Sequence, residues 1–356
     1  MILNIIIGII IISIIAIVHE LGHFFTARAF KVRVEEFGLG LPPRLIGKKW
    51  GQTIYSINAI PFGAFVKMAG EVDPDVPDSL ASKKPYQRLI VLAAGSVMTI
   101  ILAFLVLSVA FMVPHTAVTE PVIVKDIAPG SPAAMAGIAA GDRIISINGD
   151  ALENVAYLIR KTQLNLGEET QLLIKHRDGL EELVIVVPRW KPPEGQGAIG
   201  IVLDLEASAR DRTVTRRGLP FWEAIPKGAA QLIEISVLYK EGLIAMIAGT
   251  APAVLVGPVG IVQMAGEVAE AGLSPLLEFA AIISFILGII NFFPIPAVDG
   301  GRIVFVVLEW LRGGKRVSPR IEGLVHTIGF LLIIAVAIII TYQDILRIIT
   351  GESPVP

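Results

Sequence analysis

Four apolar runs, each long enough to cross a bilayer, constrain this chain more than any other feature. A spanning helix needs about 20 predominantly apolar residues, and Ile2–Ala29, Leu89–Val113, Leu276–Leu311 and Leu324–Tyr342 all reach that length. With 54% hydrophobic and 17% charged residues among 356, a wholly aqueous enzyme is excluded. The first run (residues 1–30) has no basic n-region, is too long for a signal-peptide core and is followed by no small-residue cleavage site, so it reads as a retained span. The predicted fold class is a polytopic α-helical membrane protein of about four transmembrane helices.

Charge orients these spans. Basic residues crowd the 31–88 loop and its edges (Arg28, Lys31, Arg33, Arg44, Lys48, Lys49, Lys67, Lys83, Lys84, Arg88), and Arg312, Lys315, Arg316 and Arg320 precede the last span. The positive-inside rule places both loops in the cytoplasm, both termini outside and residues 114–275 outside. Gly242–Val262 is apolar but broken by Pro252, Gly257, Pro258 and Gly260, so the 219–262 stretch reads as interfacial or re-entrant rather than spanning. Within it, Phe221–Leu243 has the pattern of an amphipathic helix lying in the interface. A net charge of −2 gives no reason to expect nucleic acid. With no cysteine in the chain, any metal must be held by His, Asp or Glu.

Residues 120–205 change character. Val122–Ile127 and Leu183–Val187 alternate as strands do. Pro129-Gly-Ser-Pro-Ala-Ala-Met-Ala-Gly-Ile138 reads as a loop and short helix, and Gly141–Gly149 as a strand ending in an Asn-Gly turn. This module resembles bacterial PDZ domains, which implies an inserted α+β domain able to capture an extended peptide or a chain terminus at a sheet edge. Gly197–Leu203 is the candidate binding-loop strand, and a plain β spacer domain is the alternative.

The first span contains His19-Glu20-Leu21-Gly22-His23. On a helix, residues four apart share a face, so two imidazoles can meet one Zn²⁺ while Glu20 reaches water beside it. Taken alone, the motif also fits an interfacial cluster at a helix end. Ionisable groups inside a span cost several kcal/mol unless paired, solvated or coordinating, which favours a metal. Zinc with three protein ligands needs one more, and Asp299 stands out in Asn291-Phe-Phe-Pro-Ile-Pro-Ala-Val-Asp-Gly-Gly301. There two prolines break the 276–311 span and two glycines permit close backbone approach. At 1.5 Å per residue, His19 lies about 27 Å and Asn291 about 24 Å from the outer face, so the depths agree. His115, His176 and His326 read as solvated or interfacial bystanders.

With these motifs in this order, the chain resembles the site-2 protease family of zinc intramembrane metalloproteases, within it the bacterial RseP/RasP-like branch with a single PDZ domain. Ser56–Met68 is similar to that family's membrane-associated β-hairpin (about 53–68), and Gly257-Pro-Val-Gly-Ile261 also matches. Val298 replaces the family's usual Leu before the aspartate. The resemblance implies a multi-pass protein of the bacterial cytoplasmic membrane, with its active site toward the cytoplasm and its PDZ domain outside. It further implies His19, His23 and Asp299 as zinc ligands, Glu20 as general base and acid, and Asn291 and Pro294 in substrate binding. Its substrates would be single-span proteins such as anti-sigma factors or remnant signal peptides. The hairpin offers edge groups to an extended chain, or else anchors in the interface through Phe62 and Phe65. Two other readings are a non-catalytic PDZ scaffold with a structural metal site and a metal transporter; the transporter lacks a chain of polar residues across the membrane.

Overall fold

A computed structural model describes residues 2–249 and 256–350, apart from the side chains of Ile2, Pro61 and Phe62. The chain divides into two units, the first formed by residues 1–111, 221–229 and 254–356 and the second by 112–220 and 230–253. Pro252 and the Phe62 side chain, both invoked above, lie outside what is described.

The first unit opens with α1 (Ile2–Ala29), 28 residues of mostly Ile and Leu. It ends where Lys31 takes φ 55°. β1 (Val34–Trp50) and β2 (Thr53–Met68) follow, then α2 (Pro85–Met112), whose Pro85 suits a first helical turn. The predicted hairpin is corrected here. Residues 53–68 do not pair with themselves; Phe37 is flanked by both Val66 and Tyr55, Leu39 by both Ala64 and Ile57, and Lys48 pairs with Tyr55. The result is a small antiparallel sheet in the segment order 64–68, 34–41, 53–57, 44–50. Gly40 (φ 74°) and Gly63 (φ 79°) supply left-handed conformations where each long strand doubles back. Most of the polar centre of this sheet is internally paired: Ser56 Oγ donates to Glu36 Oε1 at 2.7 Å, Arg44 binds the same carboxylate, and Asn58 Nδ2 donates to Leu39 O at 3.1 Å, while Asn58 Oδ1 is buried without a partner.

The second unit holds β3 (His115–Thr119), β4 (Val122–Ile127), α3 (Pro132–Met135), β5 (Arg143–Ile147), β6 (Asp150–Ala151), α4 (Val155–Leu164), β7 (Thr170–Lys175), β8 (Glu181–Val186), β9 (Ile201–Leu203), α5 (Leu205–Arg210) and β10 (Thr213–Arg217), with most of α6 (Phe221–Ile247). One sheet runs β8-β7-β5-β4-β9, with β6 on β5. It encloses a core that includes Val122, Ile144, Leu158, Leu172 and Ile174. Asn148 and Gly149 both have positive φ (49° and 84°), so β5 and β6 join through a mirror-image two-residue turn. Gly197–Leu203 contributes β9, which pairs antiparallel with β4. β3 and β10 form a separate two-stranded ribbon, so the folded unit extends past the predicted 120–205 limits on both sides. Long-range pairing of this kind leaves no local periodic signature.

The remainder of the first unit is α7 (Pro258–Glu270), α8 (Leu273–Phe292), α9 (Asp299–Leu311) and α10 (Pro319–Thr350). The predicted 276–311 span is therefore two helices. Only α8 has spanning length, because Pro294 and Pro296 remove backbone donors and clash with a continuing helix. Among its described residues, the 219–262 stretch holds α6 and the start of α7. Among the described residues, four helices are long and apolar enough to cross a membrane, α1 (from Leu3), α2, α8 and α10. α10 leaves much apolar surface outward, with Leu331 60% and Ile338 64% exposed, which suits hydrocarbon rather than water. Phe24 and Ala27 of α1, Phe37 and Met68 of the sheet, Val91 and Leu92 of α2, and Val306 of α9 share one buried cluster. That cluster sets four elements around the end of α1 that carries the histidines.

Candidate metal centre

His19 and His23 project from one face of α1, and Asp299 opens the first turn of α9. Asp299 Oδ2 lies 3.0 Å from His19 Nε2 and 3.2 Å from His23 Nε2, and the two Nε2 atoms are 3.1 Å apart. These residues form the one His/Asp/Glu group of metal-binding geometry found among the described residues. Tetrahedral zinc with bonds of about 2.0–2.1 Å requires donors about 3.3 Å apart. The three donor separations are close to that spacing, so these residues would fit such an ion.

The hydrogen bonds favour the same occupant. His23 Nδ1 is 2.8 Å from the Val91 carbonyl, which fixes the proton on Nδ1 and leaves the Nε2 lone pair facing the other two donors. Three such atoms converging on one point need a proton or a metal cation between them to offset their repulsion, and the tautomer set at His23 leaves that place open to a metal. His23 is buried, and the His19 Nδ1 is buried without a protein partner.

α2 contributes by omission. A Cβ on Gly95 would stand 2.7 Å from His19 Nε2 and closer still to His23 Nε2, and one on Gly22 would strike the Ala94 carbonyl. Glycine at both positions lets the helices cross tightly and keeps the space beside the imidazoles free. Gly300 and Gly301 do the same for α9, since a Cβ on either would collide with the carbonyls of Phe292 and Phe293 or of Ile295.

Glu20 is half-buried beside the triad. Its carboxylate stands within the electrostatic reach of His23, His19 and Asp299 and near the Val66 backbone. Asn291 is half-buried and its Nδ2 donates to the Leu287 carbonyl at 3.0 Å, leaving the amide oxygen open; Pro294 is exposed. Neither hydrogen-bonds to the triad among the described residues.

One of the bystander histidines is corrected. His326 Nδ1 accepts from the Ala297 N–H at 2.9 Å, pinning the loop two residues before Asp299, where Ala297 has φ 79°. His176 bridges Asp142 (3.0 Å) and Glu182 (3.1 Å) in the second unit. His115 lies 3.0 Å from the Val113 carbonyl. Val91, Gly95 and His326 were missed from sequence; only the Pro-Gly density around Ala297 hinted that this loop required support.

The model of peptidase family M50 matches residues 7–336. The chain belongs to peptidase family M50. This M50 peptidase is 35% identical over 344 residues to a Clostridium acetobutylicum protein whose name assigns it provisionally to the zinc metalloproteases, covering 96% of this chain and 97% of the relative. It is 28% identical over 411 residues to zinc metalloprotease RasP of Geobacillus kaustophilus, covering 92% and 94% respectively. A solved PDZ domain from a Listeria monocytogenes SdrC-like protein aligns with 24% of this M50 peptidase and 87% of its own chain, at 26% identity and a TM-score of 0.21.

Proposed function

We propose that this M50 peptidase, a zinc metallopeptidase like the relatives it matches, uses His19, His23 and Asp299 as its zinc ligands. Its activity is cleavage within membranes, and its substrates in this reading are the spanning segments of single-span proteins, anti-sigma factors or remnant signal peptides among them. The reading rests on one observation, the three donor atoms 3.0–3.2 Å apart with a non-ligand carboxylate one residue from the first. A purely structural site has no use for Glu20, which disfavours a metal-bearing scaffold.

Zinc at such a site supplies Lewis acidity toward the scissile carbonyl and a water of lowered pKa. Glu20 takes the proton of the attacking water and delivers it to the leaving amine. The Val91 carbonyl, through His23 Nδ1–H, holds one imidazole in the tautomer that can ligate. Asn291 and the bend at Pro294 lie on the chain leading to Asp299, and the open Asn291 amide oxygen accepts from a substrate backbone N–H. A helical substrate hides its carbonyls, so it must unwind. Segment 64–68 is an edge of the small sheet, and Val66 on it approaches Glu20, so an extended chain added there would run past the base.

The localisation we propose is the bacterial cytoplasmic membrane, with the centre toward the cytoplasm by the positive-inside bias. We further assign the second unit as a single extracytoplasmic PDZ domain that takes a chain terminus or extended peptide; its sheet and its Asn-Gly turn support this. The test compares wild type and Glu20→Gln, purified in detergent, on a transmembrane reporter. Zinc retained with cleavage reduced by at least roughly 10³-fold is expected. Equal cleavage by both would reject Glu20 as the base.

A further inference from the structure

Beyond the catalytic centre, a cavity of about 700 Å³ opens where α1 ends and the small sheet begins. Arg28, Lys31 and Arg33 line it, together with Trp50, Tyr55 and one acid, Asp78. The Arg28 guanidinium sits 5.3 Å over the Phe24 ring, which orients it without neutralising it. Arg33 has a carboxylate neighbour, Glu35, at 3.4 Å. Neither Arg28 nor Lys31 forms an ion pair recorded among the described residues. A pocket with three cations and one acid retains a net positive charge and selects an anion.

Location narrows the anion further. α1 has 28 residues, about 42 Å at 1.5 Å per residue, against a hydrocarbon core of about 30 Å. Arg28 in its last turn therefore stands at headgroup level. Trp50 is 80% exposed beside Tyr55, the pair of residue types that settles at a membrane–water boundary. A guanidinium fork and an ammonium are the groups that recognise phosphate oxygens, and basic clusters next to a span draw acidic lipids.

We propose that this pocket is a binding site for the phosphodiester headgroup of an acidic phospholipid, with its acyl chains running down the apolar face of α1. A headgroup held there bridges Arg28 and Lys31 to the start of the sheet whose edge approaches Glu20. The site thus makes the seating of that sheet depend on acidic lipid.

The test is native mass spectrometry of the intact protein released from micelles containing phosphatidylglycerol and excess phosphatidylcholine. Wild type should retain one phosphatidylglycerol preferentially. Arg28→Gln/Lys31→Gln/Arg33→Gln should lower that retention by at least roughly tenfold, while Lys48→Gln/Lys83→Gln/Lys84→Gln, which removes the same charge outside the pocket, should change it less than about twofold. Arg28→Gln alone, the mildest change, should give an intermediate loss and serves if the triple variant does not fold. Millimolar inorganic phosphate, or an acidic peptide, should leave the lipid in place. Equal retention by wild type and both pocket variants would overturn the proposal. Complete displacement by phosphate would reassign the site to a soluble anion, displacement by peptide would reassign it to a protein segment, and either overturns the lipid.

Discussion

At the scale of single residues, the centre depends as much on what is missing as on what is present. Gly95 holds open the space beside the two imidazoles, so Gly95→Val should drive a side chain into it. The expected outcome is zinc affinity weakened about 10–100-fold, read by zinc content after dialysis against graded chelator, with α-helical circular dichroism unchanged. His326→Phe keeps an aromatic ring against Phe305, 5.5 Å away in the native protein, but removes the acceptor for the Ala297 N–H. Cleavage should fall with little change in expression, as the loop that delivers Asp299 loosens; wild-type cleavage would show that the loop holds itself. That His19 and His23 share a face was legible because helical spacing is a local property, and Asp299 stood out because two prolines and two glycines in an apolar run mark broken backbone. Gly95, the Val91 carbonyl and His326 were not legible. Each acts on a residue tens of positions away, and neither glycine nor a backbone carbonyl carries a sequence signal of its own.

At the scale of elements, the Gly257-Pro-Val-Gly260 motif finds its physical reason in α10. The N-terminal cap of α7 is Gly257, which has no side chain to accept a hydrogen bond. Asp344, 3% exposed, reaches across from α10 and accepts from the Gly260 N–H at 2.9 Å. A Cβ on Gly257 or Gly260 would crowd that carboxylate. An acid at a helix N-terminus also complements the macrodipole. α7 in turn packs closely on α1, where a Cβ on Gly8 would stand 2.8 Å from Val262 Cα. Asp344→Leu should therefore cost roughly 1–3 kcal/mol and lower the detergent melting temperature, whereas a melt like wild type would show the cap to be dispensable. In the second unit, hydrogen bonds to Glu182 and Asp142 raise the His176 pKa above its ordinary 6.5. A raised folded value means stability present in full below about pH 6.5 and lost as pH rises through the folded pKa. Melting of that unit in the full chain should shift down from pH 6 to pH 9 more in wild type than in His176→Gln. The folded-back sheet was misread from sequence because strand partners are chosen by non-local contacts, while α1 and α2, whose bonds are local, fell within a few residues of their predicted limits; the 276–311 run was read as one broken span where the prolines make it two helices.

At the scale of the whole molecule, the first span and α9 meet both through the buried cluster that Phe24 and Val306 share and through the polar contact of His23 with Asp299, 276 residues away. A ligand shared by both elements stabilises the folded state over any state in which they separate. Removing zinc with a chelator should lower the melting temperature of the membrane-spanning unit, and the same treatment should do little to Asp299→Ala, which has already lost the link. The membrane class was legible from hydropathy alone, since four long apolar helices have few alternative fates. A second ion network needed the fold: Arg88 of α2 pairs with buried Glu309 of α9, which Arg316 also reaches at 3.0 Å. The most direct measurement is zinc K-edge X-ray absorption on the purified wild-type protein and on Asp299→Ala. Wild type should bind one zinc in a nitrogen/oxygen shell near about 2.0 Å with scattering from two imidazoles, and Asp299→Ala should lose the metal or show an altered shell. An unchanged spectrum at full occupancy in Asp299→Ala, or a wild-type shell without two imidazoles, would contradict the three-ligand centre.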